Sequence, residues 1–202
     1  MYFFTDRFVG VDREKLQKKV GNKKLIFMNQ IHSSNVKVVN KNSPSALEKT
    51  DAMITNDKDV ALCVVVADCN PVIFLDESKG VVGVAHAGRV GSYEKIAQKT
   101  VLAMSEEFGC VKKDIHVKIG PSIKACCYEV GSEVIGGFET FTCKKNAKIF
   151  LDLIALNKQQ LQEVGIEEKN IEISSTCTCC DENYFSYRRE ATKSRFCGVV
   201  SL

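Results

Sequence analysis

The sequence predicts one α+β domain, spanning residues 1–202, in which mixed β-sheets pack together and are flanked by helices. Three observations point there. Strand-like runs outnumber helical ones along the chain. Two of those runs, 60–67 and 81–85, are apolar at every position, so both of their faces need cover from a second layer. The chain has 202 residues with no repeat, low-complexity tract or Pro/Gly/Ser-rich linker, a length that fits one sizeable core.

In order, the β-rich runs are 24–28, 35–39, 60–67, 71–75, 81–85, 115–119 and 171–175. The segment 40–49 is polar and reads as a loop, the nearest thing to a break. A helix is expected over 92–108, because Ala97, Val101, Met104 and Phe108 form one apolar stripe. Ser92 is placed to cap its start and Gly109 its end. A second helix is expected from an Asp152 N-cap through Leu153, Leu156, Leu161 and Val164 to Gly165.

The composition excludes several function classes. Hydrophobic residues make up 45% and charged residues 26%, as in ordinary soluble globules. Net charge is only +3 and the basic pairs are scattered, so no nucleic-acid partner is expected. No apolar run approaches the ~20 residues of a membrane span, so no membrane partner is expected. The first seven residues lack the layout of a signal peptide, which leads to a cytoplasmic expectation. The ten cysteines fit this if most are reduced thiols. Cys63, Cys110, Cys143 and Cys197 read as small core hydrophobes.

The chemistry concentrates in three residues. The chain has three histidines, and two of them, His32 and His86, sit at or just past the ends of strand-like runs. Cys69 lies where the run 60–67 stops, and Pro71 keeps Asn70 extended, so the chain turns sharply at the cysteine. Two imidazoles and one thiolate suit a zinc ion with its fourth position left for water or substrate. The same residues also read without a metal, with Cys69 as nucleophile, His86 as base and Asp68 or another carboxylate orienting it.

Three further features stand beside this set. Gly88, Arg89, Gly91 and Ser92 lead into the expected helix at 92, where free backbone N–H groups form a candidate phosphate cradle. Phe185 to Glu190, with Arg195 beyond, concentrates aromatic and guanidinium groups that either bind phosphate and bases or form an edge strand with a charged face. Here Arg188 and Arg195 are the substrate candidates. Cys126-Cys127 and the Cys177-Thr178-Cys179-Cys180 run read either as a four-thiolate zinc site or as buried thiols near the site.

Seven blocks together resemble the YfiH family of laccase-domain proteins, once named multicopper polyphenol oxidases and later described as purine nucleoside phosphorylases. They are Asn29-Gln30-Ile31-His32, Asp51-Ala52-Met53-Ile54-Thr55, Ala67-Asp68-Cys69-Asn70-Pro71-Val72, His86-Ala87-Gly88, Ile119-Gly120-Pro121-Ser122-Ile123, Cys127-Tyr128-Glu129-Val130-Gly131, and Cys177-Thr178-Cys179 with Phe185-Ser186-Tyr187-Arg188-Arg189. The resemblance implies a fold similar to the catalytic domain of cytotoxic necrotizing factor. It implies zinc held by His32, Cys69 and His86, which are then also the catalytic residues. It implies phosphorolysis of adenosine, inosine and methylthioadenosine, with adenosine deamination beside it, in a monomer or homodimer whose partners are purine nucleosides and phosphate. Arg89 and Val90 stand where the family usually has Trp-Arg, and Ser33 where it usually has glycine. The N-terminal third is also short, which points to a missing pocket loop.

Three other functions compete with this one. A cysteine-dependent hydrolase or an editing factor for peptidoglycan precursors would use Cys69. A copper-binding oxidoreductase is the third, since two His and one Cys also describe a blue-copper site. A true multicopper oxidase needs about ten histidines to ligate its coppers, and three cannot supply them.

Overall fold

The computed structural model describes residues 1–202. The strands are β1 (Tyr2–Phe4), β2 (Lys24–Asn29), β3 (Val36–Val38), β4 (Ala46–Glu48), β5 (Ala52–Thr55), β6 (Val60–Val66), β7 (Asn70–Asp76), β8 (Val81–Ala87), β9 (His116–Ile119), β10 (Glu129–Val130), β11 (Thr142–Lys145), β12 (Lys148–Leu151), β13 (Ile171–Ile173) and β14 (Phe196–Val200). The helices are α1 (Arg13–Val20), α2 (Arg89–Tyr93), α3 (Ile96–Phe108), α4 (Leu153–Glu163) and α5 (Tyr187–Glu190).

Two mixed sheets form the body. One has the order β1-β14-β6-β2-β4 and the other β13-β9-β7-β8-β5-β3. The first is antiparallel across β1, β14 and β6, then parallel through β2 and β4. In the second, β9, β7, β8 and β5 are antiparallel, with a parallel strand added at each edge.

Side-chain alternation explains the layering. Along β6, Leu62, Val64 and Val66 join Ile73, Val82, Val84 and Phe196 in the core between the sheets. Ala61 and Cys63 point the other way, onto Leu16 and Val20 of α1. On the far side, Val72, Phe74 and Ala85 pack against Ile96, Val101 and Met104 of α3 and Leu161 of α4. The order is therefore helix, sheet, sheet, helices. Both all-apolar runs are covered on two faces, as the sequence requires.

Local chemistry sets the helix ends. The Asp12 carboxylate accepts from the N–H groups of Glu14 and Lys15 at the start of α1. Asp152 accepts from the Ala155 N–H and caps α4, as expected. Gly109, at φ 66°, ends α3 with its N–H on the Ser105 carbonyl.

Some expectations are corrected. The helix over 92–108 is two helices, broken at Lys95, which adopts a left-handed φ of 64°. Ser92 caps nothing. It is buried in α2, its hydroxyl accepting from Asn157 Nδ2 and its carbonyl from Gln160 Nε2, which ties α2 to α4. The loop 40–49 contains β4, which extends the sheet by pairing with β2; two apolar residues are too short a signal to find it. The segment 185–190 is not an edge strand, because Ser186 Oγ accepts from the Arg189 N–H and starts α5. Cys63, Cys110 and Cys197 are buried, but Cys143 is exposed on β11. No helix is long and apolar enough to cross a membrane.

Candidate active site

The site lies at one end of the gap between the sheets. On β8, Ala85 and Ala87 face the helices, so the side chain between them, His86, faces the other sheet. It is buried. His32 lies in the turn after β2, at a left-handed φ of 62°. Cys69 follows Asp68, whose φ of 93° forms the corner where the chain leaves one sheet for the other.

A fully buried carboxylate holds both histidines. Asp51 Oδ1 lies 2.9 Å from His86 Nδ1 and accepts from the His32 backbone N–H at 3.0 Å. Its Oδ2 accepts from the N–H groups of Ile31 and Ser33 and from the Ser33 hydroxyl. These bonds offset the cost of the uncommon backbone geometry at His32. They also leave the other nitrogen of His86 free for Cys69 and His32. The two imidazole rings are 4.7 Å apart at 69°, and Cys69 Sγ lies 3.9 Å from His32 Nε2.

Asp68 works in parallel. It accepts from the Thr178 hydroxyl and the Arg188 backbone N–H, both at 2.7 Å, and so does not orient His86. The orienting carboxylate is Asp51. Gly88 packs directly against the Cys69–His32 pair, since a Cβ there would sit 3.0 Å from both Cys69 Sγ and His32 Cδ2.

The electrostatics favour a thiolate beside an imidazolium. Burial pushes the Cys69 thiol up, but the charge on His86 and hydrogen bonds from His32 and His86 outweigh it and bring it to about 6. Burial pushes His86 down, and the Cys69 charge with the bond to Asp51 outweighs that, taking it to about 9. Burial also raises Asp51, yet hydrogen bonds from His86, Ser33 and Ile31 hold it well below the usual carboxylate range.

One nitrogen of His32, one of His86 and Cys69 Sγ lie within 4.8 Å of one another. Ligands of one tetrahedral zinc would sit roughly 3.3–3.6 Å apart at ordinary Zn–N and Zn–S bond lengths, so small rotations suffice. A carboxylate behind a ligating histidine is the usual support of such a centre. The donor set fits zinc.

All three residues line a cleft of about 750 Å³, whose other walls include Ile31, Tyr128, Tyr187, Arg188 and Arg195. A volume of that order suits a small organic ligand. Neither Arg188 nor Arg195 pairs with a carboxylate, whereas Arg189 pairs with Glu190. Gly88, Arg89, Gly91 and Ser92 are not among the lining residues. Gly91 is a close-packing position, where a Cβ would meet the Ser33 carbonyl oxygen at 3.0 Å. The sequence reading missed Asp51 and Tyr128 as site residues. The signal for Asp51 was present, a carboxylate at the head of the apolar run Ala52–Thr55.

Residues 6–202 match the family described as multi-copper polyphenol oxidoreductase laccase. The chain belongs to that family. Relatives in this laccase family carry another name as proteins. The chain is 38% identical over 201 residues to "Purine nucleoside phosphorylase Cj1217c" of Campylobacter jejuni, covering 95% of this chain and 84% of that one. It is 39% identical over 189 residues to a purine nucleoside phosphorylase of Aquifex aeolicus, covering 93% and 87%. Its fold matches the Bacillus licheniformis hypothetical protein YfiH at a TM-score of 0.93, with 27% identity over 100% of this chain and 92% of that one. YlmD from Geobacillus stearothermophilus matches at 0.89, with 28% identity over 94% and 78%. The mixed α+β architecture and the membership expected from the seven blocks both hold.

Proposed function

We propose that the chain is a zinc-dependent purine nucleoside phosphorylase that also deaminates adenosine in the same cleft. The observation that carries this reading is the convergence of His32, Cys69 and His86 in a cleft walled by Tyr187 and two carboxylate-free arginines, in a chain whose relatives bear the phosphorylase name.

In phosphorolysis a phosphate oxygen forms a bond to C1′ of the ribose. The N9–C1′ bond breaks, and the purine leaves with its electron pair and takes up a proton. Arg188 and Arg195 hold the phosphate, since guanidinium groups match its oxygens. Tyr187, exposed by 60%, offers its ring face to the purine. Asp51 fixes the tautomer and direction of His86. His32, Cys69 and His86 would hold the metal, which supplies Lewis acidity and a water whose pKa is lowered toward ~7, as deamination needs. Adenosine, inosine and methylthioadenosine are the proposed substrates, and the cytoplasm the proposed compartment.

A multicopper-oxidase reading lacks ligands. The third histidine, His116, pairs with Leu75 near one end of β7, while His86 pairs with Pro71 near the other. No second histidine-rich copper centre can be assembled around it.

The test is release of free purine from each nucleoside with and without phosphate. Phosphate-dependent release that disappears in Cys69→Ser supports the proposal. Release unaffected by phosphate or by that substitution overturns it.

A further inference from the structure

Cys126, Cys127, Cys177 and Cys180 lie outside the set of His32, Cys69 and His86. Their four sulfur atoms lie within 4.8 Å of one another. All four are free thiols. The Cys127 and Cys180 sulfurs are 3.2 Å apart, well beyond the ~2.05 Å of a disulfide bond. Cys126 Sγ is 3.7 Å from Cys127 Sγ and 3.8 Å from Cys180 Sγ. A tetrahedron of sulfurs around one zinc, with Zn–S near 2.3 Å, has edges of roughly 3.75 Å. The protein therefore already holds two edges of that tetrahedron near their final length.

The local chain explains how neighbours in sequence share a centre. The Cys127 N–H bonds to the Lys124 carbonyl, so the backbone curls and both thiols emerge on one side. Cys177 and Cys180 span a turn closed by the Cys180 N–H on the Cys177 carbonyl. Four thiolates around a divalent ion leave two negative charges, and the surroundings are cationic. Arg188 Nη1 donates to the Cys127 carbonyl at 3.1 Å, and Arg189 Nη1 to the carbonyls of Thr178 and Cys179. The Lys124 ammonium donates to the Ser174 carbonyl close by.

We propose that these four cysteines form a second, structural metal site for a zinc-class ion, distinct from the three-residue centre. It ties together two segments about fifty residues apart in sequence, each continuing into the cleft wall: Tyr128 follows Cys127, and Thr178 carries the hydrogen bond to Asp68 beside Cys69. The second ion thus fixes the wall on which Tyr128 and Arg188 stand. A site closed by four protein ligands does not bind substrate. The inference does not depend on the proposed enzymatic activity.

Metal analysis of protein purified under reducing conditions tests it. Wild type should carry about two zinc ions per chain, and Cys69→Ser and the double variant Cys126→Ser/Cys180→Ser about one each. Cobalt(II) loaded into Cys69→Ser should give the strong sulfur-to-metal charge-transfer absorption of several thiolates, a readout that needs only that folded variant. Cys69→Ser without bound metal would overturn the proposal. So would a Cys127–Cys180 disulfide, found by peptide mapping in place of the ion.

Discussion

Asp51 Oδ1 stands 2.9 Å from His86 Nδ1 in a fully buried pair. The same carboxylate holds the turn that carries His32. One side chain thus orients the imidazole of His86 and anchors the backbone turn that carries His32, two histidines that come from different sheets.

Asp51→Asn should therefore weaken metal binding by about 10–100-fold, the usual cost of losing such a support. An amide can present only one acceptor oxygen to this group of donors. Unfolding stability should also fall by at least about 2 kcal/mol. Metal titration and denaturant unfolding on the same variant separate the two effects.

Gly88→Ala probes the crowding of the site. The added methyl would sit 3.0 Å from Cys69 Sγ and His32 Cδ2, closer than an ordinary contact. Metal content and turnover should fall together, while far-ultraviolet circular dichroism stays that of the parent. Unchanged turnover would mean the centre tolerates displacement of His32.

Arg195→Ala should raise the KM for phosphate by about ten-fold or more, because a charge-assisted bond contributes roughly 1.5–3 kcal/mol. Adenosine deamination uses water rather than phosphate and should change far less. Arg89→Ala should leave both reactions nearly unaltered, since Arg89 does not line the cleft. A larger phosphate defect in Arg89→Ala than in Arg195→Ala would return the anion to the Gly88 turn.

Tyr187→Ala should raise the KM for nucleoside about five- to ten-fold, in line with ~1–1.5 kcal/mol of aromatic contact. Its effect on the KM for phosphate should be small. Steady-state kinetics with each substrate varied in turn give the comparison.

The layered sheets were legible because the runs 60–67 and 81–85 are apolar throughout, and only a two-sided burial explains such runs. The edges were not. β4 is held by backbone pairing to β2 and carries almost no side-chain signal. His32 and His86 were legible as two of the chain's three histidines, and Cys69 as a thiol where a strand run stops. Their convergence depends on which strand ends meet in space, and spacing does not encode that. Gly88 and Gly91 have a packing reason to be glycine, which sequence spacing does not separate from a phosphate cradle. Ser92, likewise, is occupied by Asn157 and Gln160 of α4.

The most direct measurement is phosphorolysis by metal-loaded wild type and by Cys69→Ser, followed as free purine and ribose 1-phosphate. The account predicts equal amounts of both products from wild type, strict dependence on phosphate, and at least a hundred-fold loss (~2.7 kcal/mol) in Cys69→Ser with cooperative unfolding retained. Full phosphorolysis by Cys69→Ser, or none by wild type with its zinc in place, would contradict it.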